Sequence, residues 1–303
     1  MKTRSLGAEG PEVSVVGLGT NNFGARIDYD ESKAVLDEAI EQGITLLDTA
    51  DIYSQGASEE FIGRALEGRR DAFLLATKFG KPMDANPSES RGSREYIRWA
   101  VEGSLRRLRT DVIDVYQMHE PDPSTPIEET LGALDELVRE GKVRWTGSSN
   151  FSAAQIEEAD TIARDRGWAR FVSAQNEYSL VERDAEDDVL RTCDGLGIGV
   201  LPYFPLASGL LTGKHALRQT PKEGRLAGRE VPAERWAKVE AVQRYAEERN
   251  VAMLDVAIGG LLAMPAIVSV IAGATKREQV RDNVKAGSWE PNRIDVEALR
   301  ALR

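Results

Sequence analysis

Short apolar runs rich in β-branched residues alternate along this chain with stretches whose apolar positions return at helical spacing. Such switching predicts a parallel sheet assembled from strand–helix units. The candidate strands are Val15–Leu18, Ile44–Asp48, Phe73–Thr77, Ile113–Met118, Val143–Gly147, Val172–Gln175, Gly199–Tyr203 and Val268–Ile271, eight in all. Between them lie helical patterns such as Val35, Ala39 and Ile40; Phe61, Ile62 and Ala65; Ile97, Val101, Leu105 and Leu108; and Ile127, Leu131, Leu134 and Val138. Each turns one apolar stripe toward the sheet. Thr125-Pro126-Ile127-Glu128 and Ser152-Ala153-Ala154-Gln155 have the form of capping boxes, the first with proline at the first helical position.

Two segments fall outside this rhythm. Thr3–Ser14, with Gly7, Gly10 and Pro11 between short apolar pieces, reads as a hairpin that could plug the open bottom of a barrel. Ser208–Glu234, rich in Gly, Arg and Lys, falls between the seventh strand and its helix, where a lid or a plain surface loop would fit equally well. With no Pro/Ser linker, repeat or low-complexity tract, residues 1–303 are expected to form one domain.

Composition narrows the partners. A formal charge of −11 and a pI near 5.0 argue against nucleic acid, whose binders carry basic stripes. The cluster Arg106, Arg107 and Arg109 reads as the solvated end of a helix. A lone Cys193 offers no disulfide framework and no thiolate metal site, so no metal is expected and a reducing compartment is. The start MKTRSLGAEG lacks a signal-peptide core and no run reaches membrane-span length; a cytoplasmic protein is the expectation.

The chemistry gathers at strand ends. Asp48, Tyr53, Lys78 and His119 each stand where an apolar run gives way to polar residues, and a barrel would bring these ends to one rim. A buried ammonium beside a phenol favours the phenolate and makes the phenol a better acid, so the set can move a proton onto a carbonyl oxygen. Singly, each has a plainer reading: a turn-capping aspartate, a half-buried tyrosine, a solvated lysine, a core histidine. Together they argue for a site.

GLGTNNFG at Gly17–Gly24, LLDTADIYSQGASEEFIGRAL at Leu46–Leu66, ATKFG at Ala76–Gly80, DVYQMHEPDP at Asp114–Pro123, GSSNFS at Gly147–Ser152, QNEYSL at Gln175–Leu180, LPYFPLASGLLTGK at Leu201–Lys214 and VIAGATKREQVRDN at Val270–Asn283 together resemble the aldo-keto reductase family. The resemblance implies a (β/α)8 TIM barrel, closed at its bottom by the N-terminal hairpin, that binds an extended nicotinamide dinucleotide without a Rossmann motif. It implies an enzyme interconverting aldehyde or ketone and alcohol, in which Tyr53 is the general acid, Lys78 held by Asp48 lowers its pKa, and His119 orients the carbonyl. Ser149, Asn150 and Gln175 match the family's carboxamide clamp, with capping and turn formation as competing readings for the first two. Tyr203 matches the aromatic that stacks on the nicotinamide. Gly19, Thr20 and Asn21 match the loop near its ribose, Asn21 standing where many members carry a bulky aromatic.

Farther along, Phe204, Pro205, Leu206, Ser208, Gly209, Leu210 and Lys214 match the pyrophosphate segment, Phe204 replacing a common serine; His215 has no counterpart and reads as a solvent-facing loop residue. Gly273, Ala274, Thr275, Lys276, Gln279 and Asn283 match the motif for the adenosine 2′-phosphate and adenine. Mammalian-type members carry lysine and arginine where Gly273 and Gln279 stand, which leaves Lys276 or Arg277 to supply the charge. NADP(H) is the preferred cofactor, with NAD(H) or dual use open. Phe23, Tyr53, Met83, His119, Glu120 and Phe204 are the candidate substrate walls. The alternatives are a cofactor-binding subunit like the potassium-channel β subunits, a sugar or alcohol dehydrogenase working oxidatively, and, more remotely, a barrel enzyme acting on a sugar phosphate.

Overall fold

The computed structural model describes residues 1–84, 88–214, 217–219 and 225–302. A short antiparallel hairpin, β1 (Thr3–Ser5) and β2 (Glu12–Ser14), precedes eight parallel strands. These are β3 (Val16–Gly19), β4 (Leu46–Asp48), β5 (Leu74–Phe79), β6 (Ile113–Met118), β7 (Val143–Ser149), β8 (Phe171–Gln175), β9 (Gly199–Val200) and β10 (Val270–Gly273). They pair in chain order, and β10 returns to β3 with Val270 opposite Val16. The ring closes where Val200 N–H donates to the Ala266 carbonyl, Val268 N–H to the Val200 carbonyl and Ile271 N–H to the Pro202 carbonyl. The fold is the (β/α)8 barrel expected of the pattern.

Strand alternation sets what the barrel contains. Leu46, Ala76, Val115 and Leu201 fill its floor together with Leu6 and Val13 of the hairpin. Two residues further on, the same inward face presents Asp48, Lys78, Gln117 and Tyr203. The lower barrel is thus apolar and the upper barrel polar. Gly7 lets the hairpin dock: its φ is +73°, and a Cβ there would lie 2.7 Å from the carbonyl oxygens of Gly197 and Val172.

The helices form the outer layer: α1 (Tyr29–Glu41), α2 (Ala57–Ala65), α3 (Arg94–Leu108), α4 (Ile127–Arg139), α5 (Ala153–Arg166), α6 (Val189–Leu196), α7 (Ala233–Glu248), α8 (Met253–Leu262), α9 (Arg277–Ala286) and α10 (Arg293–Ala301). Ser152 and Gln155 make the expected reciprocal cap at α5. The cap expected at Thr125 does not form, because Thr125 Oγ1 donates instead to Asp122, and Pro126 occupies the N-cap of α4 rather than its first turn.

Strand ends also shift for physical reasons. Side chains of Ser14 and Thr45 each accept the other's backbone N–H, at 2.8 and 2.9 Å, so β4 begins after Thr45 and not at Ile44. Pro202 has no N–H to give a ladder, and β9 stops at Val200, although Tyr203 pairs again with Glu177 as an isolated bridge. Arg107 is not solvated: its Nε donates at 2.7 Å to fully buried Glu59, whose other oxygen accepts from Thr77. Arg109 alone of that basic cluster caps the helix end, with φ of +51° and an exposed pair to Glu67.

Candidate active site

Asp48 ends β4, Lys78 sits near the end of β5 and His119 follows β6 directly, so all three reach the upper rim. Lys78 Nζ donates to Asp48 Oδ2 at 2.8 Å, to the Thr49 carbonyl at 2.8 Å and to the Tyr53 hydroxyl oxygen at 3.3 Å. Gln175 Nε2 donates to the other Asp48 oxygen at 2.9 Å. Lys78 is fully buried and Asp48 is 3% exposed, so the pair is out of water with most of its hydrogen-bonding capacity used. Tyr53 opens a tight turn in which Ser54 and Gln55 take left-handed φ of 52° and 53°. Ser54 Oγ anchors the turn on the Phe23 carbonyl.

Electrostatics assign states to these groups. Burial lowers the Lys78 pKa, but Asp48 and Tyr53 more than reverse it, and the amine is held protonated. Burial raises the Tyr53 pKa above its ordinary value while Lys78 pulls it down. The lowering by Lys78 is the effect expected from the sequence, and burial acts against it with the larger weight; the phenol keeps its proton at neutral pH. Burial first, then the charges of Lys78 and Lys81, press the His119 pKa down to about 2. His119 is therefore a neutral imidazole, perpendicular to the Tyr53 ring at 6.0 Å between centroids, and its Nδ1 has no hydrogen-bond partner among the described residues.

Asp48, Tyr53 and His119 line a cleft of about 1150 Å³ at the barrel mouth, with Lys78 buried behind them. Its lining includes Gly19, Thr20, Asn21, Ser149, Asn150, Gln175, Tyr203, Phe204, Pro205, Leu206, Ser208, Gly209, Lys214, Gly273, Thr275, Lys276, Gln279 and Asn283, all expected at the site. Asn150 does not cap a helix. At φ of +60° it donates from Nδ2 to the His119 carbonyl and accepts the Tyr203 hydroxyl at 2.8 Å, tying three strand ends together. Phe204, Ala207 and Ser208 also have positive φ, which marks this rim as strained backbone.

Several expected residues lie elsewhere. Phe23 is fully buried, Met83 is 9% exposed, and neither lines the cleft. Leu210, in the helical turn Ala207–Thr212, and Ala274, just after β10, pack into the core and away from the mouth. Glu120 stands beside the cleft between Lys81 at 3.6 Å and Arg91 at 3.5 Å. Arg277 is spent on Glu38 and Glu41 at the outer face, whereas Lys276 at the N-terminus of α9 lines the cleft. His215 lies outside the described residues, as do 216 and 220–224 of the expected lid.

Other cleft residues had not been expected: Asn22, Arg26, Lys81 and Arg225. Arg225 donates to Asn21 Oδ1 at 2.9 Å and lies 4.6 Å over the Phe204 ring, so this residue of the 208–234 segment reaches the cleft. Lys81 had a signal, three positions beyond Lys78. Arg225 had none, because its neighbours in space are 21 and 204 positions away or more.

Behind the site is a second group of charges. Asp51 is 1% exposed, its carboxyl oxygens have no hydrogen-bond partner among the described residues, and burial followed by the nearby Glu59 charge pushes its pKa up to about 8. The folded protein thus holds a proton that the unfolded chain releases near its ordinary value of 3.8. Raising pH between those values erodes stability, by up to about 1.4 kcal/mol per pH unit. Asp51→Asn removes this term. In urea unfolding, its stability relative to the parent should climb from about pH 5 to about pH 8; parallel profiles would refute a protonated Asp51.

The donors in the cleft suit a dinucleotide. Tyr203 supplies an aromatic face, Ser149, Asn150 and Gln175 supply amide and hydroxyl partners, and Lys214, Arg225 and Lys276 supply positive charge for phosphates. The aldo/keto reductase family model matches residues 15–303. The chain is 38% identical to the uncharacterized oxidoreductase YrpG of Bacillus subtilis (strain 168), over all of this chain and 95% of that protein. It is 35% identical to a probable aldo-keto reductase 1 of Glycine max, over 93% of this chain and 83% of the relative. A probable voltage-gated potassium channel subunit beta of Oryza sativa subsp. japonica is 34% identical, over 94% and 91% of the two chains. The family match over residues 15–303, with relatives named oxidoreductase and aldo-keto reductase that align over nearly the whole chain, places the chain in the aldo/keto reductase family of oxidoreductases.

Proposed function

We propose that this carbonyl oxidoreductase reduces an aldehyde or ketone with NADP(H), Tyr53 delivering the proton. The observation that carries the reading is the Asp48–Lys78–Tyr53 chain, with contacts of 2.8 and 3.3 Å, open to the cleft beside a neutral His119. When bound, the nicotinamide supplies the hydride. Tyr53 holds the proton at its hydroxyl until the carbonyl oxygen gains negative charge, then donates it. Lys78 stabilises the phenolate left behind, and Asp48, itself held by Gln175, fixes the ammonium. His119, lacking a charge, orients the carbonyl by hydrogen bonding without competing as an acid. Tyr203 and the Ser149, Asn150 and Gln175 set would hold the ring and carboxamide. In the oxidative direction the same groups run in reverse, with Tyr53 accepting the proton from an alcohol.

A panel of aldehydes and ketones, followed by absorbance of NADPH and of NADH, tests this reading. Carbonyl-dependent consumption of NADPH supports it; binding of NADPH without turnover of any carbonyl would favour the cofactor-binding subunit instead, the reading that the channel-subunit relatives suggest.

For the 2′-phosphate, Lys276 is the proposed contact, since Arg277 is engaged with Glu38 and Glu41. Lys276→Ala should then weaken NADPH by about 10-fold or more, from loss of a charge-assisted hydrogen bond of roughly 1.5–3 kcal/mol, and leave NADH nearly unaffected. Equal losses for the two cofactors, measured by fluorescence titration, would assign Lys276 a role in loop structure alone.

A further inference from the structure

The cleft is basic in a protein of net charge −11. Its lining carries Arg26, Lys81, Lys214, Arg225 and Lys276 against the carboxylates of Asp48 and Asp282. Asp48 is already committed to Lys78 and Gln175. Lys214 and Lys276 are needed where a dinucleotide carries its phosphates, and Arg225 is held on Asn21 and Phe204. Two cations therefore remain without a role.

Both line the same cleft as Tyr53 and His119. Lys81 follows β5 three residues beyond Lys78, and its charge is felt at His119. Arg26 is close enough to Arg225, itself felt at Tyr53, for the two guanidiniums to repel. Arg26 has no acidic partner among the described residues. Lys81 shares Glu120 with Arg91 at long separations of 3.6 and 3.5 Å, so one carboxylate serves two cations. Like charges gathered at a pocket mouth cost stability unless a ligand of opposite sign uses them.

We propose that the substrate is a carboxylate-bearing aldehyde or ketone, its carbonyl at Tyr53 and His119 and its carboxylate met by Arg26 and Lys81. The inference rests on the carbonyl-reductase reading of this site. Because Glu120 takes up part of the Lys81 charge, the pair offers little more than one free positive charge, which suits a carboxylate better than a dianionic phosphate.

Matched probes separate this claim from the one beneath it. 4-Formylbenzoate and its methyl ester share one aromatic aldehyde and differ chiefly in charge. With NADPH at low salt, kcat/KM for the acid should exceed that for the ester by at least about 10-fold, expressed mainly in KM. The ratio should shrink toward one in Lys81→Met and in Arg26→Met, and with rising salt in the parent. In the unmodified protein, benzoate should inhibit competitively against the aldehyde and benzamide should not, a readout that needs no variant to fold. Equal use of acid and ester, a preference that survives both substitutions, or equal inhibition by benzoate and benzamide would overturn the proposal while leaving carbonyl reduction standing. Failure of acid, ester and neutral aldehydes alike in a protein that binds NADPH would overturn both.

Discussion

Tyr53→Phe is expected to lower carbonyl reduction by about 10²–10⁴-fold while leaving NADPH affinity nearly intact, because a positioned general acid contributes that much and only the transferable proton is deleted. The ring remains, so its edge contact with His119 and the turn at Ser54 should persist. The loss should fall on kcat and on kcat/KM alike, as for an interaction made only in the transition state. A variant with close to parental turnover would mean that the proton comes from another group, with His119 the first suspect despite its depressed pKa.

Lys78→Met should do more damage by two routes. Lys78 is fully buried, and removing it leaves the Asp48 carboxylate, 3% exposed, with Gln175 as its remaining side-chain partner. Breaking a buried ion pair from one side costs about 3–5 kcal/mol, to be read as a lowered urea midpoint. In the fraction that folds, the phenol loses the charge that opposes the effect of burial on its pKa, so the Tyr53 pKa climbs further. Proton donation then becomes less favourable, and the alkaline limb of the pH–rate profile should move to higher pH. A stable variant with an unshifted limb would remove Lys78 from the proton chain.

Much of the architecture could be read from the residues, because a buried parallel strand needs a largely apolar run and several runs here give way to a polar side chain at the barrel mouth, as at Asp48, Lys78, His119 and Gln175. Asp48 and Lys78 were legible for that reason: they sit two positions beyond Leu46 and Ala76 on the inward face. Strand ends were less legible where a side chain replaced the ladder, as at Ser14 and Thr45, or where Pro202 interrupted it. Thr125 failed as a cap because Asp122, three residues back, competes for its hydroxyl.

What escaped the sequence was chiefly charge pairing across the fold. Arg107 reads as solvated from its place at a helix end, yet it pairs with Glu59, 48 positions away, and Asp51, whose pKa burial and then that same carboxylate raise, carried no signal in the sequence. Arg225 reaches Asn21 across 204 positions, with no periodicity to announce it. Phe23 was placed on the pocket wall from its loop position; its burial depends on the fold of the Thr20–Ile27 turn, where backbone bonds from Phe23, Gly24 and Ile27 turn the chain inward. No helix among the described residues is long and apolar enough to cross a membrane.

The proposed reaction forms a carbon–hydrogen bond at a carbonyl carbon. Incubating the protein with NADPH deuterated at the transferring position of its nicotinamide, together with 4-formylbenzoate or its methyl ester, and analysing the product by mass spectrometry addresses it directly. The expected product is an alcohol carrying one deuterium on its carbinol carbon, formed by the parent and nearly absent with Tyr53→Phe. Unchanged aldehyde in the presence of bound, unoxidised cofactor, or alcohol without the label, would contradict it.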